Sequence, residues 1–377
     1  MGRARDELLK YDSEANGVFM PPPPKKLRST SSTLLRVVGL SLGAAVVGLS
    51  VAAAVLFGGD ALTLRSIEYA EEHSVVAVQS KGGSHLESLM EAGAGSEEEL
   101  ESFISKNLLL ENEIDIPAYT EDGIVFTAKN SKGDILMCRT VCRGESPAVV
   151  LENRGGGAYK SAAVLDMAML GYNADSLPDS FGINRESLPM LAAPLLSFDG
   201  INEKGVAAAA LTVNTSECAE EEGKTTLCAS SLVRLVLDKA ASAEEAVKLL
   251  SDCNVVFAED SFIHIFIADS TGTACVVEWD SGEMHVVPGS GQWLIAANRM
   301  LWNDAAVGDS RVREYKVQAE LEAMGGVLSE QAAFELLASA GGTSGTHCSV
   351  IYNLTTGEVN VRVGEGDTYT AQIEMKN

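Results

Sequence analysis

Seven cysteines and five histidines carry most of the nucleophilic and proton-transfer chemistry open to this 377-residue chain, and their spacing permits little of it. The cysteines all lie between Cys138 and Cys348, and none forms a CxxC pair, so zinc-ribbon and thioredoxin readings lack their ligands. An odd number leaves at least one thiol without an internal partner, which fits buried small-apolar cysteines better than a disulfide framework. His347 beside Cys348 suggests a thiol–imidazole couple, but adjacent residues on a strand point to opposite faces and cannot meet. His264 alternates with Phe262 and Phe266 and reads as a satisfied core histidine. Gly155-Gly156-Gly157 has no helix behind it, so it reads as a loop rather than a phosphate cradle. What remains are polar residues beside apolar runs. Arg139 follows Ile135 to Met137, Asn298 follows Trp293 to Ala297, and Arg311 opens a helix after Gly308-Asp309-Ser310. On residue type alone each is a surface or capping group.

The elements that must position these residues are organised around Ala192 to Asn214. An apolar run, Ala193 to Phe198, stops at Asp199-Gly200, and Asn202-Glu203-Lys204-Gly205 makes a second break before Val206 to Val213. Two apolar runs joined by such turn chemistry predict a buried hairpin. Val206 to Ala210 carries almost nothing larger than a methyl group, so another layer can approach it closely. Ile124 to Met137 predicts a hairpin about Lys129 to Gly133, and His347 to Asn353 with Glu358 to Val363 predicts a last one. Between them the spacing predicts helices over Thr225 to Ala240, Ser242 to Leu250, Arg311 to Met324 and Ser329 to Ala340. Strands are expected at Phe262 to Ala268, Ala274 to Trp279, Met284 to Val287 and Trp293 to Ala297. Strand runs separated by helix pairs mean an α+β fold.

The formal net charge is −25, and the acids are unevenly spread, because residues 1–36 hold seven Lys/Arg against four acids. So acidic a body is a poor partner for nucleic acid and reads as a solvated surface. Residues 1–36 form a basic, proline-rich tail. Val37 to Gly59 then runs 23 residues without a charge, roughly 34 Å as a helix, enough for a bilayer's hydrocarbon core. Basic residues precede it and acidic ones follow, so a retained transmembrane anchor is expected with the large domain extracytoplasmic. A cleaved signal peptide with its cut near Ala52-Ala53-Ala54 is the competing reading. Asp60 to Asp122 is acidic and weakly patterned apart from the capping box Ser96/Glu99.

Several stretches together, LPMLAAPLLSFDGINEKGVA, SLVRLVLDKAASAEEAVKLL, FIHIFIADSTGTACVVEW, GGVLSEQAAFELL and HCSVIYNLTTGEV, resemble the choloylglycine hydrolase family, in its linear amide C–N hydrolase branch. The resemblance implies a four-layer αββα N-terminal-nucleophile hydrolase sandwich, preceded here by the anchor. The chain would then divide into a tail at 1–36, an anchor at 37–59, a pro-segment-like region at 60–122 and the hydrolase-like domain at 123–377. It implies amide hydrolysis by an N-terminal cysteine whose own amine is the base, tuned by an arginine and an aspartate. An asparagine and a second arginine complete the site. Residue by residue, Arg139 matches the first arginine, Asn298 the oxyanion asparagine, Arg311 the second arginine and Asn214 a further polar position. Two positions depart from the pattern. Gly123 stands where the nucleophile belongs, and Cys142 where the aspartate belongs. Thr127 and Thr120 are the nearest hydroxyls, three or four residues away, and such displacement costs about 10²-fold or more. Cys142 as a displaced nucleophile is a further alternative. No cofactor or metal is implied. The expected partner is a small amide-linked substrate or ligand. A homo-oligomer is left open, as are activity and its alternative, a catalytically inactive ligand-binding or structural protein.

Overall fold

The computed structural model describes residues 58–119, 123–143, 146–172, 177–259, 261–304, 309–341 and 347–376. In chain order the strands begin with β1 (Glu68–Ala70) and β2 (Val75–Ser80). Two hairpins follow, β3 (Ile124–Lys129) with β4 (Ile135–Arg143) and β5 (Ala148–Asn153) with β6 (Ser161–Asp166). The central hairpin is β7 (Asp199–Asn202) and β8 (Val206–Thr212). β9 (Thr225–Cys228) and β10 (Cys253–Val256) pair in parallel as a small separate sheet. The meander is β11 (Ile263–Asp269), β12 (Ala274–Asp280) and β13 (Glu283–Pro288). β14 (Ile295–Ala297), β15 (His347–Asn353), β16 (Glu358–Val363) and β17 (Thr368–Gln372) complete the strands. The α-helices are α1 (Leu86–Ala92), α2 (Glu97–Asn107), α3 (Leu232–Lys239), α4 (Ala243–Ser251), α5 (Ser310–Ala323) and α6 (Glu330–Ala340).

The strands form two large sheets, ordered β1-β2-β5-β6-β7-β8-β11-β12-β13 and β14-β3-β4-β15-β16-β17. Alternation along β8 shows how they stack. Val206, Ala208 and Ala210 face the apolar layer shared with α3 and α4, whereas Ala207, Ala209 and Leu211 face the layer between the sheets. A third layer joins the six-stranded sheet to α5 and α6, through Ile124, Phe126, Val317, Leu321 and Phe334. Three apolar layers mean four layers of secondary structure, helix, sheet, sheet, helix. The methyl-sized residues of β8 sit at its middle, and burying even one Val or Leu there contributes about 1.5–3 kcal/mol.

Several elements match the sequence pattern, and others correct it. β15 and β16 span the predicted residues, and α2 opens on the predicted capping box, with Glu99 N donating to Ser96 Oγ and Ser96 N to Glu99 Oε2. The first half of the central hairpin is displaced. Ala193 to Phe198 turns in helical loops, because Pro194 has no N–H for a ladder, and the strand begins at Asp199 instead. Gly200 lies inside that strand, where a Cβ would meet Ala162 O at 2.6 Å. The second turn stands as predicted, with Asn202 Oδ1 accepting from Lys204 N and Val206 N and Gly205 at φ +77°. Thr225 to Cys228 is strand rather than helix, which its β-branched start favours. The weakly patterned region after Asp60 contributes β1, β2, α1 and α2, and β2 pairs in parallel with β5 in the nine-stranded sheet. No helix among the described residues is long and apolar enough to cross a membrane. Of the expected anchor only Gly58 and Gly59 are described, at the start of a helical stretch through residue 66.

Candidate functional site

Gly123 lies at the entrance to β3, between the ends of two neighbouring strands. Ile124 pairs with Ala297 on one side, and Val125 with Arg139 on the other, so register alone brings residue 123 beside Asn298 and Thr140. Gly123 N donates to Asn298 Oδ1 at 2.8 Å, and Ile124 N donates to Thr140 Oγ1 at 3.0 Å. Asn298 is 1% exposed and its amide nitrogen donates to Thr212 O at 3.0 Å and to Thr212 Oγ1 at 2.6 Å. A guanidinium closes the cluster. Arg313 Nη1 donates to Gly123 O at 3.2 Å and Nη2 to Asn298 Oδ1 at 3.0 Å. The backbone of residue 123 is thus held at both its polar atoms.

That guanidinium belongs to Arg313, which corrects the expectation for Arg311. Two residues along an α-helix is about 200° of rotation, so the two arginines of α5 face opposite ways. Arg311 is on the solvent side, where Nη2 donates to Asp304 Oδ2 at 2.6 Å and to Asp304 O at 2.9 Å. The hydrogen bond from Arg311 holds the Asp304 carboxyl below its ordinary range. Asn214 is likewise not brought to the centre. It is exposed in a bend just past β8, and Thr212 makes the contact with Asn298 instead.

Arg139 sits inside β4 rather than at its end, 1% exposed. Its Nε lies 3.2 Å from Asp199 Oδ2, its Nη1 donates to Phe198 O at 3.0 Å, and its Nη2 donates to the hydroxyl of Tyr119. Asp199 in turn accepts from Tyr352 Oη at 2.5 Å and Val164 N at 3.0 Å. Burial pushes the Asp199 carboxyl up, with Arg139 opposing it. Burial also drives the Tyr352 hydroxyl well above its usual range. The carboxylate beside Arg139 is therefore Asp199 of β7. Cys142 lies on β4 at an irregularity, where Arg143 pairs with His347 and Val141 with Cys348, so the register passes over it.

The side-chain position at 123 is tight. A Cβ there would lie 3.3 Å from Thr140 O and 3.5 Å from Thr140 Oγ1. Thr127 is buried four residues further along β3, about 13 Å away, and its Oγ1 accepts from Leu294 N. Thr120 lies outside the described residues. His264 is buried as predicted, with Nδ1 2.8 Å from Glu278 Oε1. Glu278 also accepts from Leu301 N at 2.7 Å and Trp302 N at 2.8 Å, which fixes the loop that follows Asn298. Asp199, Arg313 and Tyr119 were missed by sequence reasoning. Asp199-Gly200 has the composition of a turn, and Tyr119 ends a stretch without periodicity, so only the fold reveals them.

Residues 182–300 match the family model of linear amide C-N hydrolases, choloylglycine hydrolase family. The resemblance to the choloylglycine hydrolases holds. The match includes Asp199 and Asn298, while Gly123 and Arg139 precede it and Arg313 follows it. No curated protein matches the chain. Among solved structures, the chain is similar to a Cys-to-Ala mutant of conjugated bile acid hydrolase from Clostridium perfringens, with a TM-score of 0.49 and 14% identity. That likeness covers 68% of this chain and 93% of the other. Penicillin V acylase from Agrobacterium tumefaciens scores 0.46 at 15% identity, covering 66% of this chain and 86% of that one. The N-acylethanolamine-hydrolyzing acid amidase ortholog of Caenorhabditis elegans scores 0.42 at 14%, covering 62% and 93%. The mixed α/β arrangement of two facing sheets agrees with the one the choloylglycine hydrolase resemblance implies.

Proposed function

We propose that this chain is a linear amide C–N hydrolase frame that does not turn over amides and acts instead as a ligand-binding or structural protein. The observation that carries the reading is Gly123, which has no side chain to attack a carbonyl and whose N–H and C=O are taken by Asn298 and Arg313. Asn298 directs its amide donors to Thr212 and turns its acceptor towards residue 123. That is the wrong polarity for an oxyanion, which needs donors. The charge-free run Val37 to Gly59 supports a single membrane anchor, with the folded domain extracytoplasmic.

The test is the intact mass of the expressed full chain together with hydrolysis of bile-salt conjugates and penicillin V. We expect an unprocessed chain and no turnover. A new N-terminus at Gly123, formed without added protease, overturns the proposal, as does hydrolysis above an Asn298→Ala control. The anchor is tested separately. Protease added outside intact cells should digest the domain after Asp60 and leave residues 1–30 shielded.

A further inference from the structure

At the end of the nine-stranded sheet away from Gly123, the segments 82–88 and 156–158 and the last turn of α3 line a cavity of about 240 Å³. Its position follows from β8. Thr212, the last residue of that strand, touches Asn298. Asn202, at the turn before its first residue, donates from Nδ2 to Leu237 O at 3.2 Å and Ala240 O at 2.8 Å. Those two bonds set the end of α3, and with it Asp238 and Lys239 in the cavity wall. Glycines let the other segments meet. A Cβ at Gly59 would lie 2.6 Å from Gly82 Cα, and one at Gly83 2.8 Å from Gly156 Cα. The volume is below the roughly 300–1,000 Å³ of sites for drug-sized molecules, so the ligand it admits is small.

The charges in these walls are already matched. Asp238, 6% exposed, accepts from Ser84 Oγ and lies 2.9 Å from Arg234 Nε. Lys239 Nζ lies 3.3 Å from Glu87 Oε1, and His85 Nε2 lies 3.4 Å from Asp60 Oδ1. A charged ligand would have to compete with one of these pairs, whereas a neutral one leaves all three intact. What stays open is hydrogen bonding. Among the described residues the N–H groups of Gly156, Gly157 and Ala158 and the hydroxyl of Ser88 have no partner. A carboxylate only accepts and an N–H only donates, and the neutral group that answers both is a hydroxyl, with one proton and two lone pairs. The polarity continues behind Asp238. Ser80, Asn153 and Ser161 are buried register neighbours on β2, β5 and β6, and Arg234 Nη2 donates to Ser161 Oγ at 2.7 Å. Arg234 Nη1 and both amide atoms of Asn153 have no partner among the described residues. Leaving such atoms unpaired costs stability, so a polar layer here calls for a purpose other than packing.

We infer that this cavity binds a small, neutral, polyhydroxylated ligand of monosaccharide size, its hydroxyls shared between the Asp238 carboxylate and the N–H groups of residues 156–158. The inference goes beyond the proposed function and does not depend on it, because the cavity and Gly123 lie at opposite ends of β8. Binding is measured without turnover, so its failure leaves the mass and hydrolysis results standing.

The experiment titrates the full chain with D-glucose and myo-inositol as neutral probes, and with D-glucuronate and D-glucosamine as charged controls, in calorimetry and ligand-observed NMR. We expect the wild-type chain to bind at least one neutral probe saturably, with a Kd of about 1 mM or tighter and at least tenfold below that of either charged control. Ala158→Leu, in the half-buried wall, should weaken that probe at least tenfold in a chain that keeps its circular dichroism spectrum. Asp238→Asn keeps an acceptor for Ser84 and removes the charge, and it should weaken the probe by a similar factor. Absence of saturation by both neutral probes overturns the inference, as does equal binding of a charged control or unchanged binding by Ala158→Leu. If Asp238→Asn does not fold, Ala158→Leu decides.

Discussion

Arg139 and Arg313 are both buried, yet they are held in opposite ways. Arg139 has an equally buried counterion, Asp199, and its remaining donors end on Phe198 O, Thr140 O and the Tyr119 hydroxyl. Among the described residues Arg313 pairs with Asp309, whose side chain is 45% exposed, and its other donors hold Gly123 O and Asn298. The first is a closed, charge-balanced unit within the core. The second keeps its charge directed at one peptide unit, with its counterion in water. The difference explains why one arginine ties core elements together and the other clamps the backbone at residue 123.

The largest test of the contrast is to remove each counterion. Asp199→Ala leaves a guanidinium buried and unpaired, which should destabilise the fold by about 3–5 kcal/mol. Asp309→Ala removes a half-exposed partner and should cost less than about 1 kcal/mol. Urea unfolding of both variants checks this. Similar losses would mean that the two arginines are equally dependent on their carboxylates. Next in size is Tyr119→Phe, which keeps the stacked ring but deprives Arg139 Nη2 and Ala210 O of their shared hydroxyl. Hydrogen bonds to charged groups contribute about 1.5–3 kcal/mol, so a loss in that range is expected by the same measurement. A neutral result would show that Arg139 does not depend on the Tyr119 hydroxyl.

A third comparison sets these arginines against Glu278, the buried carboxylate that holds the loop after Asn298. Burial pushes its carboxyl up, but hydrogen bonds from His264, Leu301 N and Trp302 N outweigh that, and the net shift is downward. A carboxyl depressed in the folded state stabilises above its unfolded pKa of about 4.3, and that stabilisation is lost as pH falls through the folded value. The stability gap between wild type and Glu278→Gln should therefore stay constant from about pH 7 to pH 5. It should narrow only below about pH 4. A gap that closes between pH 7 and pH 5 would contradict the downward shift.

What the sequence disclosed follows from how local each signal is. Caps and short hairpins depend on a few neighbouring residues, so Ser96/Glu99 and the pair β15–β16 were legible. Signals that depend on distant context were not. Asp199-Gly200 is chemically a turn, and it becomes strand because β6 and β8 pair on either side of it. Arg311 and Arg313 are the same residue two positions apart, and only the phase of α5 decides which one faces the centre. Gly123 was singled out through the family resemblance. Its neighbours Asn298 and Thr212 lie far away in the chain and converge only through the β14–β3 pairing and the end of β8.

The smallest expected effect concerns Cys142. In the resemblance this position should carry the aspartate that tunes Arg139, which suggests that Gly123→Cys with Cys142→Asp would rebuild a working centre. The geometry argues otherwise. A Cβ at 123 would lie 3.3 Å from Thr140 O, so admitting a thiol requires the Thr140 carbonyl to give by a few tenths of an ångström. The nitrogen of residue 123 is a peptide N–H donating to Asn298 Oδ1, so no free amine is present to act as base. Positioned acid–base partners typically contribute about 10²–10⁴-fold, and without one Gly123→Cys should show only trace cleavage before position 123. Cys142→Asp should then add nothing, because Asp199 already gives Arg139 its carboxylate. The fraction of chain cleaved, read by mass spectrometry in both single variants and the double, should be additive within about 0.3–0.5 kcal/mol. A double variant that far exceeds the sum of its parts would show that position 142 acts on Arg139, and that Asp199 is not its functional counterion.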